Sequence, residues 1–179
     1  AHSDAPKTAA AKPAKTTTHK AAGTKPASVP TAATDVRPLL VGSALPKITL
    51  QDNTGKAFNL NAAIARKPAV LIFYRGGWCP FCNLHLAQLS KTEAPLKQLG
   101  YDILAISPDS AAQLRATSEK NKTNYRLLSD SSMAASRALG IAFRVDDETA
   151  KKYREYGIDL QKSSGYSHQQ LPVPAVFLV

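Results

Sequence analysis

Long apolar runs are missing from this chain: none approaches the 18 residues needed to cross a membrane as a helix, which excludes such a span within these residues. Cysteine is scarce, with two in 179 residues, so the chain is no disulfide-stapled mini-protein, and the closeness of the pair, Cys79 and Cys82, points to chemistry. No internal repeat is visible. Acidic residues are also in deficit, 13 against 23 Lys and Arg, for a net charge of +10. That excess favours acidic partners or anionic surfaces without specifying nucleic acid. The sequence starts at Ala1 with neither a basic n-region nor an apolar h-region. We read this as a mature exported chain whose signal peptide has been removed, which places it in the periplasm or another exported setting.

The basic excess is spread out. Residues 1–37 carry six basic and two acidic side chains, and 38–179 carry 17 and 11. The first stretch is dominated by Ala, Thr, Lys and Pro, and through residue 36 only Val29 and Val36 are apolar side chains larger than Ala. It cannot bury enough surface to offset the entropy of ordering, so an unstructured arm is expected over 1–37. Pro6, Pro13, Pro26 and Pro30 favour an extended spacer. The arm has no aromatic platform on which single-stranded bases could stack, so nucleic acid is not the expected partner.

From residue 38 the texture is that of a folded domain. Ile48-Thr49-Leu50 and Ala57-Phe58-Asn59-Leu60 flank a Gly-containing turn and read as a β-hairpin. Ala69–Tyr74, Tyr101–Ile106 and Val173–Val179 read as buried strands, with a shorter one at Tyr125–Leu128. Helices are expected from Pro80 to Leu99, from Asp109 as the capping residue to Lys122, from Ser131 to Leu139, and from Asp147 to Tyr156. Alternating strands and helices give an α/β class with a mostly parallel sheet covered on both faces.

Cys79 and Cys82 sit where a buried strand gives way to a helix. Unpaired N–H groups and the partial positive charge of a helix start favour a thiolate there. Spacing of three residues on a helix lets the second sulfur reach the first, so the pair can open and close as a disulfide. Gly76 and Gly77 free the backbone entering the turn, and Arg75 adds positive charge. Covalent haem attachment would place His after the second Cys, where Asn83 stands. Zinc would need more ligands than His85 supplies, and His85 reads as a helix-surface residue, so neither metal nor other cofactor is expected.

Phe73–Cys82, FYRGGWCPFC, resembles the active-site strand and turn of the thioredoxin superfamily. The wider pattern is similar to bacterial peroxiredoxin-like proteins of the AhpC/TSA group. Supporting segments are Leu45–Leu60, Leu104–Pro108, Leu127–Asp130 and Leu171–Ala175. The resemblance spans 42–179 and implies a thioredoxin-like three-layer α/β/α sandwich with an N-terminal β-hairpin. It also implies a closing strand and helix beyond Val179, so that without them a sheet edge is left open to a partner chain. Within the resemblance Cys82 takes the peroxidatic position, Cys79 that of the peroxide-binding Thr, and Arg75 that of a loop Pro. Pro174 stands where peroxiredoxins carry an Arg and thioredoxins a cis-proline.

The function expected from this is an exported thiol-disulfide oxidoreductase, with protein disulfides turned over faster than peroxide and an external reductant closing the cycle. Cys79 is the exposed nucleophile and Cys82 the resolving thiol; with peroxide these roles reverse. Trp78 shields the site, Arg75 favours the thiolate and a cis Pro174 aligns the partner. The rival reading is a non-catalytic accessory subunit of a larger exported complex, such as a membrane-bound respiratory dehydrogenase, held through the arm and the open sheet edge.

Overall fold

The computed structural model describes residues 28–179; most of the expected arm, residues 1–27, lies outside them. Residues 30–39 lie along the domain: the Pro30 carbonyl accepts from the Arg144 N–H, and Arg37 and Leu39 donate to the carbonyls of Gly140 and Leu139.

The hairpin forms as expected, β1 (Thr49–Gln51) pairing antiparallel with β2 (Ala57–Asn59). A short helix, α1 (Leu60–Ile64), follows, capped by the Asn59 side chain. Then β3 (Ala69–Phe73), α2 (Pro80–Gln98), β4 (Asp102–Ser107), α3 (Ala111–Asn121) and β5 (Arg126–Ser129) make two successive strand–helix–strand crossovers. α2 runs on through Pro95. After α4 (Ala134–Ala138) come β6 (Ala142–Arg144), α5 (Asp147–Glu155), α6 (Leu160–Ser164), β7 (Gln170–Pro172) and β8 (Ala175–Leu178). β6 and β7 form a small antiparallel sheet of their own.

The main sheet has the order β2-β1-β5-β4-β3-β8. It is mixed, correcting the mostly parallel sheet expected from sequence: β3–β4 and β4–β5 are parallel, and β1–β2, β1–β5 and β3–β8 are antiparallel. The reason is connectivity. Parallel neighbours need a long crossover, which α2 and α3 supply, whereas the turn between β1 and β2 can only fold the chain back.

Burial on both faces explains the continuous apolar runs. Alternate residues of the parallel strands enter opposite cores: Leu71, Phe73, Leu104, Ile106 and Leu128 on one side, Ile72, Tyr74, Ile103, Ala105 and Leu127 on the other. Leu86 of α2 and Leu114 of α3 pack on the second face, and Leu60, Leu139 and Ile141 on the first. Burying each such side chain contributes roughly 1.5–3 kcal/mol. β8 is the edge strand beside β3, and it leaves Val176 and Leu178 exposed.

Two local expectations are corrected. The helix cap is Ser110, whose hydroxyl accepts from the Gln113 N–H, while the Asp109 carboxylate turns inward to other donors. The helix expected over 131–139 shrinks to Ala134–Ala138, because the Asp130 carboxylate takes the Ala135 and Ser136 N–H groups and starts the turn there.

Candidate active site

The site lies at the C-terminal ends of the parallel strands, where β3 hands over to α2. Gly76 takes φ +149, a conformation suited to glycine, and a Cβ there would strike the Trp78 indole. At Gly77 a Cβ would run into the Thr117 side chain. Cys79 is the N-cap of α2, followed by Pro80 at the first helical position, where the missing N–H costs nothing.

Three donors converge on the Cys79 sulfur: the Cys82 N–H at 3.3 Å, the Cys82 thiol at 2.6 Å and Arg75 Nη2 at 3.9 Å. Both cysteines are free thiols. Burial pushes the Cys82 thiol up to about 11, and its hydrogen bond to Cys79 works in the same direction. Burial pulls the Arg75 guanidinium down, but the two sulfurs and Tyr153 outweigh this and leave it above its ordinary value.

Access to the sulfurs runs against the expected order. Cys79 is only 2% exposed, which corrects its reading as the exposed thiol: as the capping residue, it turns its sulfur in under the helix start. Cys82, one turn on, is half-buried and lines an open pocket of about 350 Å³ with Arg75, Phe81, His85, Pro174 and Val176. A larger cleft of about 680 Å³ lies where the parallel strands begin, between Arg66, Lys97, Asp102 and Arg126; it contains neither sulfur.

Pro174 reaches the pocket, but the cis bond expected before it is absent: the described residues contain no cis peptide. The chain crosses from β7 to β8 with the Val173 N–H tied to the Ile141 carbonyl, and no tight turn demands a cis bond. Trp78 packs on Tyr153 of α5, ring centroids 5.8 Å apart, against the cluster of Val145, Ala150 and Leu171.

The family model described as AhpC/TSA matches residues 41–179. The chain belongs to the AhpC/TSA family. Among curated relatives, Peroxiredoxin Bcp of Escherichia coli (strain K12) is 33% identical over 95 residues, covering 53% of this chain and 60% of that protein. Chloroplastic Peroxiredoxin Q of Oryza sativa subsp. japonica is 34% identical over 89 residues, 50% of this chain and 41% of that one. The chain thus spans about half the length of the curated relatives it matches. Reduced Prx3 in complex with H2O2 from Vibrio vulnificus superposes with a TM-score of 0.63 at 19% identity, over 79% of this chain and 81% of that one. Peroxidoxin BcpB from Mycobacterium tuberculosis gives 0.60 at 19% identity, over 77% of each. These structures establish the thioredoxin-like fold, and the family is one of peroxiredoxins and thiol oxidoreductases.

Within this AhpC/TSA domain, the structure draws Arg75, Cys79, Cys82 and Pro174 around one loop and pocket. Sequence reading missed Asp109 and Asn83. Asp109 takes the Gly77 N–H at 2.7 Å and Asn83 donates to the Gly77 carbonyl at 2.7 Å. Their nearness to the cysteine loop in space reveals them, and for Asn83 nothing else does. A signal existed for Asp109, a carboxylate next to the end of a fully buried strand.

Proposed function

We propose that this chain is a thiol-disulfide oxidoreductase in which Cys79 and Cys82 cycle between dithiol and disulfide and the substrate meets Cys82 in the pocket. The observation that carries the reading is the 2.6 Å thiol-to-sulfur contact placed at the pocket wall. The thiolate is the attacking species. Once the pair has lost one of its two protons, the remaining proton rests on Cys82, and its transfer along the contact to Cys79 frees the attacking Cys82 thiolate. Cys82 then attacks one sulfur of a substrate disulfide, whose S–S bond breaks and releases one thiolate. Cys79 attacks the Cys82 sulfur in turn, closing the Cys79–Cys82 disulfide and expelling the second substrate sulfur, which takes the proton. An external dithiol restores the pair by the same exchange.

A second reading, peroxide as the oxidant, is favoured by Arg75, which lines the pocket and reaches the Cys79 sulfur. Here Cys82 attacks an oxygen, the O–O bond breaks with loss of water or alcohol, and Cys79 condenses with the Cys82 sulfenic acid to give the disulfide and a second water. Steady-state assays of a protein disulfide and of hydrogen peroxide, with one common dithiol reductant, separate the two. Disulfide reduction is expected to be faster, and either Cys→Ser substitution should end turnover. Faster peroxide consumption would reverse the ranking. Inactivity in both, with a stoichiometric partner retained at native abundance, would favour the accessory-subunit reading. We also propose an exported, periplasmic setting, supported by the spacer-like composition of residues 1–37 and by the persistence of disulfides in oxidising compartments. Fractionation of the native host tests it.

A further inference from the structure

We propose that Asp109 and Asn83 are positioning residues that clamp the backbone of Gly77 on both sides, at the peptide groups before and after it, and so hold Cys79 against Cys82. This rests on the dithiol reading above. Gly77 lies two residues before Cys79, in the loop closed by the Cys79 N–H to Gly76 carbonyl bond. Its N–H is taken by Asp109 Oδ2 from the loop after β4, and its carbonyl by Asn83 Nδ2 from α2. Each clamp is itself held. Ser107 donates to Asp109 Oδ2 at 3.0 Å and Ser129 to the Asp109 carbonyl at 2.6 Å. Asn121, the last residue of α3, donates to Asn83 Oδ1 at 2.9 Å. The Thr117 side chain closes the remaining side of Gly77. Three elements therefore meet on the two peptide planes that flank the Gly77 Cα.

A carboxylate is a costly way to accept one N–H in a buried place, since burial disfavours its charge. Asp109 is 1% exposed and makes no ion pair among the described residues. Burial pushes it up to about 6, against the opposing pull of the Gly77 and Ser107 hydrogen bonds. The titratable group facing it is Tyr74, the residue after β3, wholly buried and driven upward first by that burial and then by the Asp109 charge, so it stays neutral in this range. The nearby Asp130 commits its oxygens to Ala135 and Ser136. The strength of the Asp109 end of the clamp thus changes across pH 5–7 while the Asn83 end does not.

The test is the rate at which the reduced full chain closes the Cys79–Cys82 disulfide on adding oxidised dithiothreitol, read from pH 5 to 8 beside a thermal melt. Misplacement of reacting atoms by a fraction of an ångström to an ångström costs up to about a hundredfold, so Asp109→Ala and Asn83→Ala should each slow closure at least about tenfold at pH 7. Asp109→Asn keeps an acceptor for Gly77; it should stay within about threefold and lose the inflection near pH 6. If Asp109→Ala does not fold, Asn83→Ala and Asp109→Asn carry the test. Wild-type closure with both variants matching it in rate and pH profile overturns the clamp alone. A wild-type chain that never closes the disulfide overturns the dithiol reading, and the clamp with it.

Discussion

Cys82 directs its thiol hydrogen at the Cys79 sulfur 2.6 Å away, from the first turn of the helix that Cys79 caps. One short contact therefore joins a sulfur buried under the helix start to a sulfur on a pocket wall. The buried partner collects the donors, and the half-exposed partner keeps its proton.

That asymmetry sets a labelling profile. With its pKa near 11, Cys82 is almost entirely thiol at neutral pH, and the thiolate is what reacts. Its alkylation by iodoacetamide should climb about tenfold per pH unit from pH 8 to 10, where an ordinary thiol of pKa about 8.5 levels off. Mass mapping of the labelled, fully reduced chain measures this. A plateau at Cys82 below pH 9 would contradict the assignment.

Arg75 is the cation nearest the pair, 3.9 Å from Cys79 Sγ, and it is partly exposed. Hydrogen bonds to charged groups contribute about 1.5–3 kcal/mol, and discounting for solvent leaves about 1–2. Arg75→Ala should slow disulfide closure by about tenfold, and Arg75→Lys by less, because Lys keeps the charge but loses the planar fork. Stopped-flow fluorescence of Trp78, the chain's one tryptophan, follows the reaction. Equal rates in all three proteins would remove Arg75 from the mechanism.

β8 is one of the two edges of the main sheet, and Val176 and Leu178 stand 64% and 67% exposed on it. Unpaired apolar edges template self-association, and a lysine at such a position blocks it. Val176→Lys in this 179-residue chain should reduce concentration-dependent association, as measured by light scattering on size exclusion. Its melting temperature should change little, since the side chain is mostly in solvent. Unchanged association would show that this edge does not drive it.

How much of this was legible in the sequence follows from what each signal depends on. The hairpin, β3, β4, α2 and the cysteine pair rest on local pattern: apolar runs at Ala69–Phe73 and Asp102–Ser107, a proline at the first position of α2, and a Gly after it at 100. The short β6 and β7 were not seen because, unlike β1 and β2, they are not joined by a local turn and owe their pairing to residues such as Phe143 and Leu171, 28 positions apart. Exposure within the Cys-Pro-Phe-Cys segment was misjudged because spacing cannot say which sulfur a capping geometry turns inward. Asp109 was read as a cap because Asp before a helix usually is one; the deciding fact, a Gly77 N–H 32 residues away, is tertiary.

The buried Asp109 also makes a stability prediction that can be signed. Its carboxyl has an ordinary value of 3.8 and is pushed to about 6 in the folded chain by burial. The native state therefore prefers the protonated form. The stability this gives is fully present below about pH 4 and is lost as pH rises through 6, because the unfolded chain ionises the group more readily. A displacement of roughly two units corresponds to about 3 kcal/mol, at about 1.4 kcal/mol per unit. Asp109→Asn is neutral at every pH and retains an oxygen for the Gly77 N–H. Its stability should match wild type near pH 4, pull ahead between pH 4 and 6, and remain about 3 kcal/mol higher at pH 7.5. Urea melts of the reduced proteins across that range provide the comparison. A variant no more stable than wild type at pH 7.5 would mean that the ionised carboxylate is fully compensated by its hydrogen bonds. A stabilised variant that has lost the pH 6 inflection in disulfide closure would show the cost and the use of that charge in the same side chain.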